Sequence, residues 1–248
     1  IQESAVKPVE PVFLDFKKDM SQLTAKSDIP VLYKQNVTND LFQLIYVFDM
    51  GNNNDKALGT AFDYLEYLGT SDMTPEELKS EFYRLACTFY VSPGNERTYV
   101  VLSGLNENMP AAMQLFEKLL ADAQVNKEAY DNLVGDILKA RADAKLNQGQ
   151  NFSRLMNYAM YGPKSPATNL LTEAELASMN PQELVDRIHN QNNYKHRILY
   201  YGPSSSKDLL ATIEQYHQVP ATLKDIPAGN EYSYLETPAT KVLVAPYE

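Results

Sequence analysis

The stretch from position 62 to position 70 reads Phe62-Asp63-Tyr64-Leu65-Glu66-Tyr67-Leu68-Gly69-Thr70. Its apolar positions continue, at the spacing of one helix face, a stripe that begins at Leu58. Positions i, i+3 and i+4 of a helix share a face, so Asp63, Glu66 and Tyr67 are expected to lie together. The stretch therefore predicts an amphipathic helix, which we expect to start near Asp55.

The same spacing matches an inverted zinc motif, H-x-x-E-H, except at the two metal ligands. In that motif the histidines hold the metal, and the glutamate beside them is the general base. Glu66 keeps the glutamate position, whereas Asp63 and Tyr67 stand where the histidines would be. The spacing of a zinc site is present without its imidazoles, so we predict no catalytic residue and no metal ligand in this chain.

The flanking sequence predicts strands and helices in mixed order. Thr74-Pro75-Glu76-Glu77 is a capping box with proline at the first helical position, and Pro93-Gly94-Asn95 is a hairpin signal. Strands are predicted at 29–34, 41–49, 87–92, 97–104 and 197–201, and further helices after Asn108-Met109-Pro110 and at 128–145, 153–161, 181–190 and 206–216, with a short one after Thr172. This order predicts an α+β fold with a mixed or antiparallel β-sheet packed against several helices.

The segments that contain proline and glycine predict one domain between two connecting segments. Residues 1–26 contain Pro8 and Pro11 and are predicted to be a linker or lead-in. A single domain is expected over 27–219. Residues 220–248 are rich in Pro, Gly, Thr and Glu and are predicted to lead into a further domain, beginning with a strand-like run at Lys241–Ala245. Together with the start at Ile1, this run indicates a piece of a longer protein.

The net charge, the length of the apolar runs and the cysteine count argue against several classes of protein. The formal net charge of −10 over 248 residues argues against nucleic-acid binding, which would require a basic surface. No apolar run approaches the roughly 18 residues that span a bilayer, so no membrane segment is expected. Cys87 is the only cysteine, which excludes an intrachain disulfide, and we predict that it is a small buried hydrophobe. The sequence does not indicate a compartment.

Several short sequence segments, taken in their order along the chain, resemble those of a known family. They are Ile45-Tyr46-Val47-Phe48-Asp49-Met50-Gly51, the stretch 64–70, Thr74-Pro75-Glu76-Glu77-Leu78, Tyr161-Gly162-Pro163, and the strand Arg197–Tyr201 followed by Gly202. From about position 29 to 216, the chain resembles one domain of the insulinase/pitrilysin zinc metallopeptidases, which include the mitochondrial processing peptidases. Members are built from repeated α+β domains in two halves that close around a chamber holding a peptide.

The resemblance implies a zinc-ligand-free, catalytically inactive domain that helps to enclose the peptide. Zinc and peptide hydrolysis are then expected elsewhere in the parent metallopeptidase. The third ligand of the family, a glutamate, would fall within Glu128–Lys145, where Asp136 is the nearest acid. Expected partners are other domains of the same polypeptide or a homologous catalytic subunit, with a peptide substrate. The alternatives are a non-catalytic assembly or interaction protein of the same fold and an unrelated α+β scaffold.

Other candidate sites are weaker. Asp63, Glu66 and Asp136 would suit a hard cation such as calcium or magnesium if the fold joined them. The three histidines, at positions 189, 196 and 217, are 7 and 21 residues apart. Zinc sites use closer spacings, so structural or surface roles are predicted for them.

Peptide contact has two candidate surfaces. The family resemblance implies that the hairpin Cys87–Gly104 supplies an edge strand to which a peptide can pair. Tyr64, Tyr67, Tyr83, Tyr90 and Tyr99 would line a peptide-holding wall, with packing against the core as the alternative role. The residues that bind substrate stay unassigned at this stage.

Overall fold

The computed structural model describes residues 10, 11, 13 and 15–245. Its helices and strands are α1 Phe16–Asp19, β1 Ser21–Thr24, β2 Pro30–Gln35, β3 Leu41–Phe48, α2 Leu58–Leu65, α3 Pro75–Arg84, β4 Cys87–Pro93, β5 Thr98–Leu105, α4 Met109–Asp122, α5 Lys127–Lys145, α6 Gln148–Tyr161, α7 Glu173–Ser178, α8 Gln182–Asn190, β6 Arg197–Gly202 and α9 Ser206–Tyr216. The predicted α+β class is confirmed. Within the described residues, no helix is both long enough and apolar enough to cross a bilayer.

The six strands form one mixed sheet in the order β1-β2-β6-β3-β5-β4. Only β2 and β6 run parallel, and every other neighbouring pair is antiparallel. Strand β6 comes last along the chain and inserts between β2 and β3. Strand β4 therefore remains at one edge of the sheet.

The core lies between one face of the sheet and the helices. Along β3, Leu44, Tyr46 and Phe48 are buried, and the Tyr46 hydroxyl reaches Glu117 on α4. The alternate residues of the strands point to the face turned away from α4. A row of paired residues crosses five strands on that face: Leu32, Leu199, Ile45, Val101 and Tyr90.

The connection from α2 to α3 follows the signals in the sequence. The Thr74 side chain accepts a hydrogen bond from the Glu77 amide at 3.2 Å, and the Glu77 carboxylate accepts one from the Thr74 amide at 2.8 Å. This capping box starts α3 as predicted. The turn before it is tight, because a Cβ at Gly69 would lie 2.3 Å from the Met73 carbonyl oxygen. Glycine permits this approach of two backbone segments.

Two local predictions differ from the structure. Helix α2 begins at Leu58 rather than near Asp55, because the Asp55 side chain accepts a hydrogen bond from the Ala57 amide at 3.0 Å and holds a turn before the helix. Part of the predicted lead-in at 1–26 is folded. It contains α1 and β1, and β1 pairs with β2 through positions such as Leu23 and Val31. Residues 1–9, 12 and 14 lie outside the described residues.

The segment from 220 to 245 has no helix and no strand apart from one bridge between Tyr194 and Lys224. The predicted strand-like run Lys241–Ala245 is therefore not a strand in this structure, and residues 246–248 lie outside the described part. The segment nevertheless lies against the domain. The Asn230 amide donates to the Asn53 carbonyl, and the Leu235 amide donates to the Met160 carbonyl, both at 2.7 Å. The division into a domain at 27–219 and a connecting segment at 220–248 stays a prediction.

Candidate functional site

At the end of α2, the residues of the stretch 62–70 divide into buried and exposed ones. Tyr64 and Leu65 are buried, and the Tyr64 hydroxyl donates to the Asn126 carbonyl at 2.6 Å and accepts from the Asn126 amide at 2.8 Å. These bonds tie α2 to the start of α5. The tyrosine at position 64 therefore packs in the core and does not form a wall.

Asp63, Glu66 and Tyr67 are all exposed. Because α2 ends at Leu65, Glu66 caps the helix and Tyr67 lies in the turn that follows. Partial desolvation raises the pKa of Asp63, and the negative charge of Glu66 raises it further. Both effects favour the protonated form of Asp63.

A metal site at the end of α2 would need several ligands that the fold brings together. Among the described residues, no three His, Cys, Asp or Glu side chains are placed to hold an ion. The fold does not join Asp136 to Asp63 and Glu66, so the alternative hard-cation cluster does not form among the described residues. The physical reason is that α5 contributes Tyr130 and Leu133 to the core, whereas Asp136 is exposed. A phenol and carboxylates in place of imidazoles do not fit a catalytic zinc ion.

A groove of about 390 Å³ lies between α2, α3 and the edge strand β4. Its wall is mainly apolar, and its charged lining residues are Glu66 and Lys79. The full lining is Phe62, Leu65, Glu66, Lys79, Phe82, Tyr83, Cys87, Thr88, Phe89, Tyr90 and Val91. The glutamate position of the motif therefore lies beside an apolar groove and a free strand edge.

Strand β4 alternates in burial along this groove. Cys87 is buried as predicted, and Phe89 is held between Phe82 and Phe116 with ring centroids 4.9 Å apart in both pairs. Thr88 and Tyr90 are exposed. One side of β4 is hydrogen-bonded to β5, and no described strand pairs with its other side, which could therefore accept a further strand.

The other four candidate tyrosines lie on different surfaces of the protein. Tyr83 and Tyr90 line the groove, with 88% and 51% of their surface exposed. Tyr67 is exposed beyond the end of α2 and is absent from the groove lining. Tyr99 is exposed on the sheet face turned away from α4, beside the β4–β5 turn. The candidate wall is thus made by two of the five tyrosines.

Sequence reasoning missed a buried polar cluster. His196 and His217, for which structural or surface roles are predicted, are 2.9 Å apart through their Nε2 atoms. The His217 Nδ1 lies 2.7 Å from Oε1 of Glu117, which is fully buried on α4. These residues come from three distant parts of the chain, and no spacing in the sequence signals their contact.

Glu117 collects four hydrogen bonds in this cluster. Besides His217, its carboxylate accepts from the Tyr46 hydroxyl at 2.8 Å, the Asn192 amide side chain at 2.9 Å and the Gln218 backbone amide at 3.1 Å. Burial, followed by the negative charge of Glu117, raises the pKa of Tyr46 well above the ordinary value. His189 lies apart, with Nε2 3.1 Å from the Ala123 carbonyl oxygen. The cluster joins α4, β3, the turn before β6 and the end of α9.

No protein-family model and no curated protein matches this sequence. Solved structures do match the fold. The periplasmic protease PqqL from Escherichia coli superposes with a TM-score of 0.75 at 15% identity, over 94% of this chain and 27% of that one. The ferredoxin protease FusC in complex with Arabidopsis ferredoxin gives 0.74 at 12% identity, over 95% and 28%. The peptidase M16 inactive domain from Pseudomonas fluorescens gives 0.71 at 16% identity, over 86% and 54%.

These similarities establish the fold. The chain folds as a domain of the M16 peptidases, which is the fold expected from the resemblance to insulinase-like enzymes. It spans about a quarter of the length of the first two structures and about half of the third.

Proposed function

We propose that this chain is a structural, non-catalytic domain of an insulinase-like zinc metalloendopeptidase and helps to enclose its peptide substrate. The observation that carries the proposal is the position of Glu66. It lies beside an apolar groove and the free edge of β4, while Asp63 and Tyr67 occupy the two imidazole positions. The peptide-binding surroundings of an active-site helix are kept, and its metal ligands are replaced.

The lack of imidazoles argues for a passive role of the glutamate. A glutamate acts as a general base on water whose pKa a metal ion has lowered. In the part of the chain that the structure describes, no three His, Cys, Asp or Glu side chains are placed to hold such an ion. Zinc and hydrolysis are therefore assigned to another domain of the parent protein or to a homologous catalytic subunit.

The free edge of β4 supports contact with the peptide. An extended peptide can add to an exposed strand through backbone hydrogen bonds, and pockets for alternate side chains give it specificity. The groove between α2, α3 and β4 offers such a pocket on one side of the edge. The row that ends at Tyr90, on the sheet face turned away from α4, extends the apolar surface beyond it.

The proposed domain arrangement follows from the same fold. A domain at 27–219 would pack with further domains, and residues 220–248 would lead into the next one. The coverage of 27% to 54% of the similar structures supports a longer assembly. The second candidate, a non-catalytic assembly protein of the same fold, shares this surface and differs in lacking any catalytic partner.

Metal content and cleavage test the non-catalytic role. We expect elemental analysis of the purified 248-residue chain to give no stoichiometric zinc, and we expect no cleavage of an unstructured peptide with or without added zinc. One zinc per chain, with cleavage abolished by Glu66→Gln, would overturn the proposal.

Peptide binding tests the enclosing role separately. A fluorescent, extended peptide of about ten residues is titrated against the parent chain and against Tyr90→Glu, followed by anisotropy. We expect the variant to bind at least about tenfold more weakly, because a charge enters an apolar wall. Tyr201→Glu is the matched control, since Tyr201 is 45% exposed on β6, away from the groove. Equal binding by all three proteins would argue against the β4 surface.

A further inference from the structure

A second cavity, of about 660 Å³, lies between α5, α6 and the loop at 162–173. Three cationic side chains line it. Arg141 and Lys145 are four residues apart on α5 and therefore lie on one face of that helix. Arg154 comes from α6, which is separated from α5 by two residues and packs against it. The fold thus brings the three cations to one cavity.

These cations are not neutralised within the described part of the chain. None of the three forms an ion pair there. Arg141 instead donates from Nη1 to the Leu171 carbonyl at 2.7 Å, which fixes its guanidinium at the cavity wall. The one carboxylate in the lining is Glu173, so the lining carries three positive charges and one negative, a formal +2. In a chain of net charge −10, this is a local concentration of positive potential.

The rest of the wall is largely apolar. Leu138 and Leu171 line the interior, and Tyr158 and Leu170 lie at the exposed side, where about half of each side chain is accessible. Inorganic phosphate would satisfy the cations but would leave this apolar surface in water. A ligand that also covers the leucines gains the free energy of apolar burial.

We propose that this cavity binds a carboxylate that carries an apolar body. Guanidinium groups pair with carboxylates through two parallel hydrogen bonds, and a lysine ammonium adds a point charge. Arg154 and Lys145 hold the carboxylate, and the leucines with Tyr158 cover the apolar part. Two sources supply this chemistry: the C-terminal residue of a peptide and a free aliphatic acid. The site shares no lining residue with the β4 groove, so it is independent of the proposed peptidase role.

Matched acids and amides test the site on the whole 248-residue chain. Octanoate and octanamide are titrated by calorimetry at low ionic strength, as are an acetylated dipeptide ending in leucine with a free carboxylate and its C-terminal amide. We expect at least one acid to bind about tenfold or more tightly than its amide, and more tightly than acetate or inorganic phosphate. Raising the salt concentration from about 20 mM to 200 mM should weaken the binding. The tighter acid identifies the source.

Charge-removing variants locate the binding. Lys145→Gln combined with Arg154→Gln should weaken the acid at least about tenfold, and circular dichroism checks that both substituted helices remain folded. Lys139→Gln is the matched control, because Lys139 is exposed on the same helix and lies outside the lining. We expect its affinity to stay within about twofold of the parent. Binding that is equal for acid and amide, unchanged in the double variant, as tight for phosphate, or absent would each overturn the proposal.

Discussion

His196 and His217 face each other through their Nε2 atoms at 2.9 Å in the interior of the protein. The His196 Nδ1 donates to the Tyr194 carbonyl at 2.7 Å, since a carbonyl only accepts. The His217 Nδ1 lies 2.7 Å from Oε1 of Glu117, whose carboxyl group also accepts from Tyr46, Asn192 and Gln218. A further proton must lie between the two Nε2 atoms, because two lone pairs would repel. The two imidazoles are therefore joined by one hydrogen bond, and Glu117 contacts the far side of His217.

The pKa of His196 makes stability depend on pH. Burial, followed by repulsion from His217, lowers this pKa to about 4, against a usual value near 6.5. The unfolded chain therefore takes up a proton first, and stability is lost as the pH falls from about 6.5 towards 4. The loss for this group is at most about 3 kcal/mol. Urea unfolding at pH 7, 5 and 4 measures it.

A substitution separates this effect from that of other titrating groups. In His196→Gln the free energy of unfolding should fall less steeply between pH 7 and pH 4 than in the parent. His189→Gln, outside the cluster, should keep the parent slope. An identical slope in all three proteins would show that His196 does not control the acid response.

Replacing the buried carboxyl group of Glu117 should lower the free energy of unfolding. Glu117→Gln replaces one carboxyl oxygen with an amide NH2, so a donor in this buried site, such as His217 Nδ1 or the Asn192 side chain, loses its acceptor. Leaving a buried polar group without its partner typically costs about 1–3 kcal/mol. Chemical denaturation at pH 7 measures the loss. Glu107→Gln, at an exposed carboxylate just before α4, is expected to change stability by less than about 0.5 kcal/mol.

The hydroxyl of Tyr64 contributes to stability independently of the histidines. Tyr64→Phe removes the group that bonds both the amide and the carbonyl of Asn126. We expect a loss of about 1–3 kcal/mol, because two backbone groups lose their partner. Thermal unfolding by circular dichroism tests this. Tyr67→Phe, three residues along and 46% exposed, should leave the melting temperature nearly unchanged.

Two glycine substitutions should act in opposite directions. Gly69→Ala would place a Cβ 2.3 Å from the Met73 carbonyl oxygen, so the turn between α2 and α3 must shift. We expect a loss of about 2 kcal/mol or more, as for other strained positions. Gly135→Ala, in the middle of α5 with nothing within 4 Å of the new Cβ, should stabilise by about 0.5–1 kcal/mol. Stabilisation by both changes, seen as higher urea midpoints, would contradict the close approach at Gly69.

The sequence by itself determined the local elements. The capping box at Thr74, the hairpin turn after Pro93 and the apolar run of β3 each depend on residues a few positions apart, and the structure keeps all three. That Asp63 and Tyr67, and not histidines, flank Glu66 was likewise visible in the sequence alone. Such features are read correctly because the interactions that cause them are local.

Only the tertiary structure decided which distant residues meet. Strand β6 enters between β2 and β3 after more than 160 residues of intervening chain, and this order leaves β4 at the edge beside the groove. The same packing buries Glu117, His196 and His217 together and keeps Asp136 apart from Glu66. Contacts of this kind depend on how whole apolar faces are buried against one another. The free energy of that burial is a property of the assembled core, and no single spacing along the chain encodes it.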